Sequence, residues 1–377
     1  MTKRLFVASG IFHPEPGGPA TYLHEVLPAL QARGWNVRLL TFGEGSTDYP
    51  YPVTRVPRHV LPIRYARYAA HALAELRRAD VVYAHTLDLP LVTRWQALPQ
   101  VPRVLKVVGD LAWERAIRKH WVAPTTDVDL FQTMNASDTV QQARNNRSRQ
   151  AQAMQHVIVP SDYLKHMVIG WGVDASKISV IFNALPPMVG VQRTQAEARQ
   201  LLNLDNRPTL LTAARLTPWK GVDHLITALH ALPDIRLLVA GEGEETPRLQ
   251  SMAASLGDRV VFLGRLEREL LYQYMQAADY FVLYSGYEGL AHTLLESLRV
   301  GTPLIASSKG GNVEVIRHDI NGFLVDYINM DALIAALQQA FSGGTRARLS
   351  ANTSQGMERF TFETMVNETN KVLGNNR

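Results

Sequence analysis

The chain has 377 residues, 46% hydrophobic and 19% charged, a globular composition too long for one ordinary core, so two domains are expected. No cysteine is present, which excludes disulfides, thiolate metal sites and cysteine nucleophiles, and no apolar run approaches the ~18 residues of a membrane-spanning helix. The formal charge of +5 is uneven: residues 55–119 hold 12 basic against 5 acidic side chains, a field that concentrates nucleic acid, acidic lipid or phosphorylated substrates.

The opening MTKRLFVASGIF has a basic tip and an apolar run, but His13, Pro14 and Glu15 follow at once without a small-residue cleavage site. A buried strand over Leu5–Ser9 is therefore expected. Strand-length apolar runs recur at 37–42, 80–85, 104–108, 157–161 and 178–182, each followed by a helical pattern. In the second half they fall at 209–214, 236–241, 260–264, 280–284, 303–307 and 322–326. Runs this evenly apolar are buried on both faces, as in parallel sheets covered by helices. The fold class is α/β, with two doubly wound Rossmann-like domains. Pro-Pro and Gly interrupt all periodicity in 184-ALPPMVGVQRTQ-195, dividing the chain into 1–184 and 185–357. The tail, 358–377, continues an amphipathic pattern from Met357 through Phe360, Phe362, Met365, Val366 and Val372. It packs on its own domain or crosses back to the first.

Candidate site residues cluster where strands end. Glu288 and Glu296 bracket 288-EGLAHTLLE-296, between a strand and a helix, and ligands of open α/β sheets bind outside the carboxyl ends of strands. Arg215 ends another strand, and Lys220 stands before Gly221 and a new helix. Two cations there grip a diphosphate through charge-assisted hydrogen bonds of roughly 1.5–3 kcal/mol each, or form an ordinary solvated turn. Carboxylates and cations at one sheet edge suit a sugar attached to phosphate. Gly241, in 241-GEGEE-245, and the loop 264-GRLERE-269 offer room for a base and ribose. Gly17 and Gly18 precede a helix and allow close approach to an anion, although the loop is not GxGxxG. A further Gly-Gly step, in 308-SKGGNVEVI-316, does the same.

Thr293 and Glu296 spell a capping box, which gives Glu296 a structural alternative. Asp127-Val128-Asp129 spells a metal-binding DxD, but its setting reads as a helix N-cap. The 12 histidines lack ligand spacing, and His85 and His292 read as hydrogen-bonded residues at strand or loop ends. Residues 58–78 mix Arg58, Arg64, Arg67, Arg77 and Arg78 with Leu61, Ile63, Tyr65, Tyr68 and Leu73. That is either a helix lying on an anionic membrane or a surface helix with arginine stems over the core.

The ordered set GGPATY, PSDYL (160–164), Asn183, RLTPWKG, GEG, FLGRL, EGLAHTLLES, GTPLIAS and GGNVEVI resembles family 4 of the retaining glycosyltransferases over nearly the whole chain. The resemblance implies the GT-B fold, two domains facing across a cleft, with the C-terminal helix returning to the first. It implies that Arg215 and Lys220 neutralise the donor diphosphate, that Glu288 meets the transferred sugar, and that Glu296 holds the ribose. Arg265 and Leu266 would border the base, and Gly17 and Gly18 would close over the phosphates. The loop amides of Ala291, His292, Thr293 and Leu294 would share the leaving-group charge, with no metal and no cofactor. Gly109 stands where many relatives have histidine, and Leu290-Ala291 where Phe-Gly is common; Asp110 and Trp113 would shape the acceptor side. The expected function is retaining hexosyl transfer from a UDP-, GDP- or ADP-sugar to a sugar, glycolipid or polyprenyl-linked acceptor of the cell envelope. The expected place is the cytoplasm, peripheral on the inner face of an anionic membrane, with no nucleic acid as partner. A nucleotide-sugar epimerase and a nonenzymatic nucleotide-sugar or nucleic-acid binding module are the alternatives.

Overall fold

The structure is a computed structural model that describes residues 3–15, 17–45, 48–96, 101–188 and 191–375. The chain forms two compact units. The first comprises Met1–Val122, Asp129–Pro186 and Phe362–Arg377; the second comprises Ala123–Val128 and Pro187–Thr361.

The first unit is built on seven parallel strands: β1 (Lys3–Ala8), β2 (Trp35–Phe42), β3 (Val53–Val56), β4 (Val81–Ala84), β5 (Arg103–Lys106), β6 (His156–Val159) and β7 (Ile178–Val180). Their order is β3-β2-β1-β4-β5-β6-β7. The register puts Leu5 beside both Val37 and Val81, so β1 lies between apolar neighbours. Five expected runs after the first are strands here; β3 is an addition. Its sequence, VTRV, is half-buried over three of four residues, so it lacks the even apolarity that marks the inner strands.

The second unit repeats the plan with β8 (Thr209–Ala213), β9 (Arg236–Ala240), β10 (Val260–Gly264), β11 (Tyr280–Leu283), β12 (Leu304–Ser307) and β13 (Gly322–Val325), in the order β10-β9-β8-β11-β12-β13. In both sheets the winding reverses beside the first strand, between β1 and β4 and between β8 and β11. A crevice opens where successive connections leave in opposite directions, which makes these reversals the natural ligand positions. Leu210, Leu237, Val239, Tyr280, Val282 and Ile305 form the centre of the second core.

The last helix, Phe362–Asn375, contributes Met365, Val366, Val372 and Leu373 to the first unit's core. Each such side chain gains about 1.5–3 kcal/mol when fully buried. Polar contacts fix the helix: Trp35 Nε1 donates to Asn370 Oδ1 at 2.7 Å, and Arg33 donates to Glu363 at 2.6 Å and Asn367 at 3.0 Å. The helix starts at Phe362; Met357–Arg359 form a separate 3₁₀ turn. No helix among the described residues is long and apolar enough to cross a membrane.

Candidate functional site

Around the reversal point of the second sheet, loops following β8, β9, β11 and β12 meet through their backbones. Gly221 adopts φ +63°, and a Cβ there would lie 1.9 Å from the carbonyl oxygen of Tyr284. Gly310, at φ +59°, would place a Cβ 2.1 Å from the carbonyl oxygen of Glu288. Both separations are far inside van der Waals contact, so only glycine lets these loops approach. Hydrogen bonds seal the junctions: Gly286 N donates to Trp219 O at 2.8 Å and Gly311 N to Glu288 O at 2.9 Å. Gly241 also fills a packing role, since a Cβ would stand 2.0 Å from the Ala214 carbonyl oxygen.

This packing brings Lys220 to Glu288. The 3₁₀ turn Pro218–Lys220 begins at a proline, whose fixed φ suits a helical start, and Gly221 redirects the chain into the helix Val222–Ala228. Lys220 Nζ then donates to Glu288 Oε1 at 2.5 Å, with Glu288 only 8% exposed. Burial makes each partner necessary to the other, because an unpaired ion in that position is strongly disfavoured. Arg215, on the same loop, is exposed and forms no ion pair or side-chain hydrogen bond with a described residue.

Glu296 lies on the next helix, His292–Arg299, and is buried. The Thr293–Glu296 capping box does not form: Ala291 is the N-cap and Thr293 already lies inside the first turn. The Glu296 carboxylate instead accepts from the Tyr272 hydroxyl at 3.3 Å and pairs with Arg268 Nε at 3.5 Å. Burial raises its carboxyl above the usual range, against the pull of Arg268, Tyr272 and Arg299. Arg268 also donates to the Tyr272 hydroxyl at 2.9 Å. Sequence reasoning named the loop 264–269 but singled out neither its Arg268 nor Tyr272. Their four-residue spacing places both on one face of the helix Arg268–Ala277, and Tyr272 lies well past the strand end that marks the loop.

The other expected residues of this unit lie nearby in the chain. Arg265 is exposed and Leu266 half-buried just after β10; Ala291, His292 and Thr293 are half-buried and Leu294 is buried. The amides of Thr293 and Leu294 belong to a first helical turn, whose N–H groups have no intrahelical acceptor and favour negative charge.

In the first unit, Gly17 and Gly18 open the helix Gly18–Ala32; Gly17 is half-buried and Gly18 exposed. Asp110, expected on the acceptor side, lies in the interior. Its fully buried carboxylate caps the helix Leu111–Arg118 through Ala112 N (3.0 Å) and Trp113 N (3.2 Å), and accepts from Gln132 (2.9 Å) and Arg147 (2.5 Å). Four donors thus satisfy it in the interior, and Trp113, whose amide is one of them, is buried as well. His85 is buried with its ring 5.0 Å from that of Tyr22. Lys106 closes β5 in full burial, its Nζ 4.0 Å from the Tyr22 ring centre and without a hydrogen-bond partner among the described residues; burial lowers its pKa to about 7. The two acids of the DxD spelling separate: Asp127 pairs with Lys309 at 2.8 Å, and Asp129 accepts from Tyr163 at 2.7 Å.

Two family models divide the chain between them: Glycosyltransferase Family 4 matches residues 16–187, and Glycosyl transferases group 1 matches 194–356. A D-inositol 3-phosphate glycosyltransferase of Mycobacterium sp. (strain JLS) is 30% identical over 354 residues, covering 83% of this chain and 75% of that protein. The chain belongs to the family 4 glycosyltransferases. An uncharacterized glycosyltransferase of Methanocaldococcus jannaschii is 30% identical over 229 residues, 57% of this chain and 59% of that protein, so the match spans about three fifths of that relative. The GT-B fold of this family 4 glycosyltransferase is also that of Anabaena HepE, crystallised with UDP-glucose: TM-score 0.78, 22% identity, 98% of this chain and 99% of that one.

Proposed function

We propose that this glycosyltransferase moves a hexosyl sugar from a UDP-, GDP- or ADP-sugar to a hydroxyl acceptor, with retention of configuration and without a metal ion. The observation that carries the proposal is the Lys220–Glu288 pair, 2.5 Å apart at the reversal point of the second sheet, with the Arg215 guanidinium on the same loop. When the bond between the sugar's C1 and the phosphate oxygen breaks, negative charge grows on the departing diphosphate. Fixed cations and aligned amides stabilise such charge without reorganising during the reaction. Lys220, Arg215 and the first-turn amides of Thr293 and Leu294 supply both.

Glu288, oriented by Lys220, accepts hydrogen bonds from hydroxyls of the transferred sugar. Glu296, held by Tyr272 and Arg268, takes the ribose hydroxyls. The acceptor hydroxyl attacks C1 on the face that the phosphate leaves, forming the new C1–O bond as the old one breaks. Its proton passes to the departing phosphate oxygen, so no carboxylate nucleophile is required. HepE was crystallised with UDP-glucose on the same fold, which supports this donor class. The acceptor is read as a glycan or lipid-linked hydroxyl of the cell envelope, met by a cytoplasmic enzyme peripheral to the inner membrane face.

Thermal shifts with UDP, GDP, ADP and their sugars test the donor half. A ligand at 100 times its Kd stabilises by about 2.7 kcal/mol, and the shift should vanish in Lys220→Ala. No response to any of these ligands, or an undiminished shift in the variant, would sink the reading. Donor conversion with no acceptor present would mark an epimerase instead.

A further inference from the structure

The helix Leu61–Leu76 buries a stripe that its own first turn leaves uncovered. Tyr68, Ala72 and Leu76 are at most 1% exposed, Tyr65 is half-buried, and Leu61, seven residues before Tyr68 on the same side, is 58% exposed. Val60 and Ile63 are 70% and 51% exposed beside it. Trp95, 58% exposed on the segment after β4, joins them through Tyr65, with ring centres 6.3 Å apart. Most of the helix is thus a core element. Only its tip and Trp95 form an apolar projection.

The rim of this projection is cationic. The Arg64 guanidinium lies over the rings of Phe42 and Tyr65, at 5.5 and 5.6 Å, and that of Arg94 over Trp95 at 4.8 Å. Arg67 is exposed, and neither Arg64 nor Arg67 has an ion-pair partner among the described residues. No acidic residue occurs from 55 to 74, and three carboxylates of neighbouring segments are engaged elsewhere: Glu15 with Arg58 at 2.6 Å, Glu75 with Arg38 at 2.9 Å and Asp88 with Arg115 at 2.5 Å. Scattered exposed leucines need no explanation, but large aliphatics and a tryptophan clustered with arginines match the chemistry of a membrane interface.

We propose that this projection docks the protein on an anionic lipid bilayer, with Leu61, Ile63 and Trp95 entering the headgroup boundary and Arg64 and Arg67 meeting lipid phosphates. It also lies at the carboxyl edge of the first sheet. The helix follows the end of β3, and Arg58 donates to the Gly10 carbonyl, just past β1, at 3.2 Å. A lipid-borne acceptor would arrive at the edge where ligands of such sheets bind. The inference deepens the lipid-linked acceptor reading and is independent of the donor residues.

Sedimentation of the full chain with phosphatidylcholine vesicles, with or without phosphatidylglycerol, tests it. Wild type should favour the anionic vesicles by roughly tenfold or more. Arg64→Gln/Arg67→Gln should abolish that preference, and Leu61→Ser/Ile63→Ser should weaken binding to both vesicle types by about tenfold. Melting temperature and nucleotide-diphosphate shifts should be unchanged in both variants, which separates failure here from failure of the donor site. Equal partitioning of wild type between the two vesicle types, or variants that bind as wild type does, would overturn the proposal. So would a dimer in light scattering that Leu61→Ser dissolves, which would assign the surface to a second copy.

Discussion

Beside β8 in the second sheet and beside β1 in the first, the strand order reverses in the same way, yet the polar groups gathered there are spent differently. In the second unit, Lys220 and Glu288 hold each other at loops locked by glycine, and Arg215 on the same loop has no ion-pair partner among the described residues. A ligand can share or replace these partners. In the first unit, Asp110 is saturated by four internal donors, Tyr22 bonds Tyr83 at 3.0 Å, and the Lys106 amine is sealed against an aromatic ring. Topology supplies two equivalent positions, and the availability of the charged groups distinguishes them.

The strongest way to break this comparison is Lys220→Ala. Transfer measured by nucleoside-diphosphate release should fall about a thousandfold, as for loss of a principal transition-state donor. Activity within tenfold of wild type would remove the leaving-group role. Next in size is Gly310→Ala, which combines positive φ with a backbone clash and should cost about 3 kcal/mol in urea unfolding and abolish donor shifts. Gly18→Ala is its control in the other unit: apart from its chain neighbours and its own helix backbone, no described atom lies within 4 Å of the added Cβ, so stability should be unchanged.

Lys106 sharpens the other side of the comparison. Its folded pKa, about 7, lies below the unfolded value, so the folded state binds fewer protons between pH 7 and the ordinary lysine range. The cost of burying the amine is therefore fully present below pH 7 and declines as pH rises. Wild-type stability should rise with pH from about 7 up to the ordinary lysine range through this group, and Lys106→Met should remove that slope. The smallest effect is at Glu296, whose raised carboxyl makes the folded state bind more protons than the unfolded one. Its contribution to stability is greatest in acid and falls as pH rises above the unfolded pKa through the folded one. Glu296→Gln should flatten that slope in acid-range unfolding while weakening donor shifts.

The inner strands were legible because both faces of each are covered, which leaves continuous apolar runs; edge strand β3, with Thr54 and Arg55, carries no such run. Lys220 and Glu288 were legible from their places after strands. Arg268 and Tyr272 were not, since their convergence on Glu296 depends on how two crossover helices pack. Asp110 was named only through the family resemblance, and its burial was not legible, because the side chains that occupy it, Gln132 and Arg147, come from 22 and 37 residues away. Thr293 spells a cap by letter, but the helix begins at His292, two residues earlier than the T-x-x-E spelling requires.

The placement of the helix Phe362–Asn375 has a practical corollary for anyone dissecting the molecule. A gene fragment stopping at Pro186 encodes an unfinished hydrophobic interior, while one starting at Pro187 carries a greasy appendage with nothing to cover. An excised amino-terminal half should become soluble only when residues 362–375 are grafted on or supplied as a peptide, and a bulky carboxyl-terminal fusion will burden the half that holds the amino terminus.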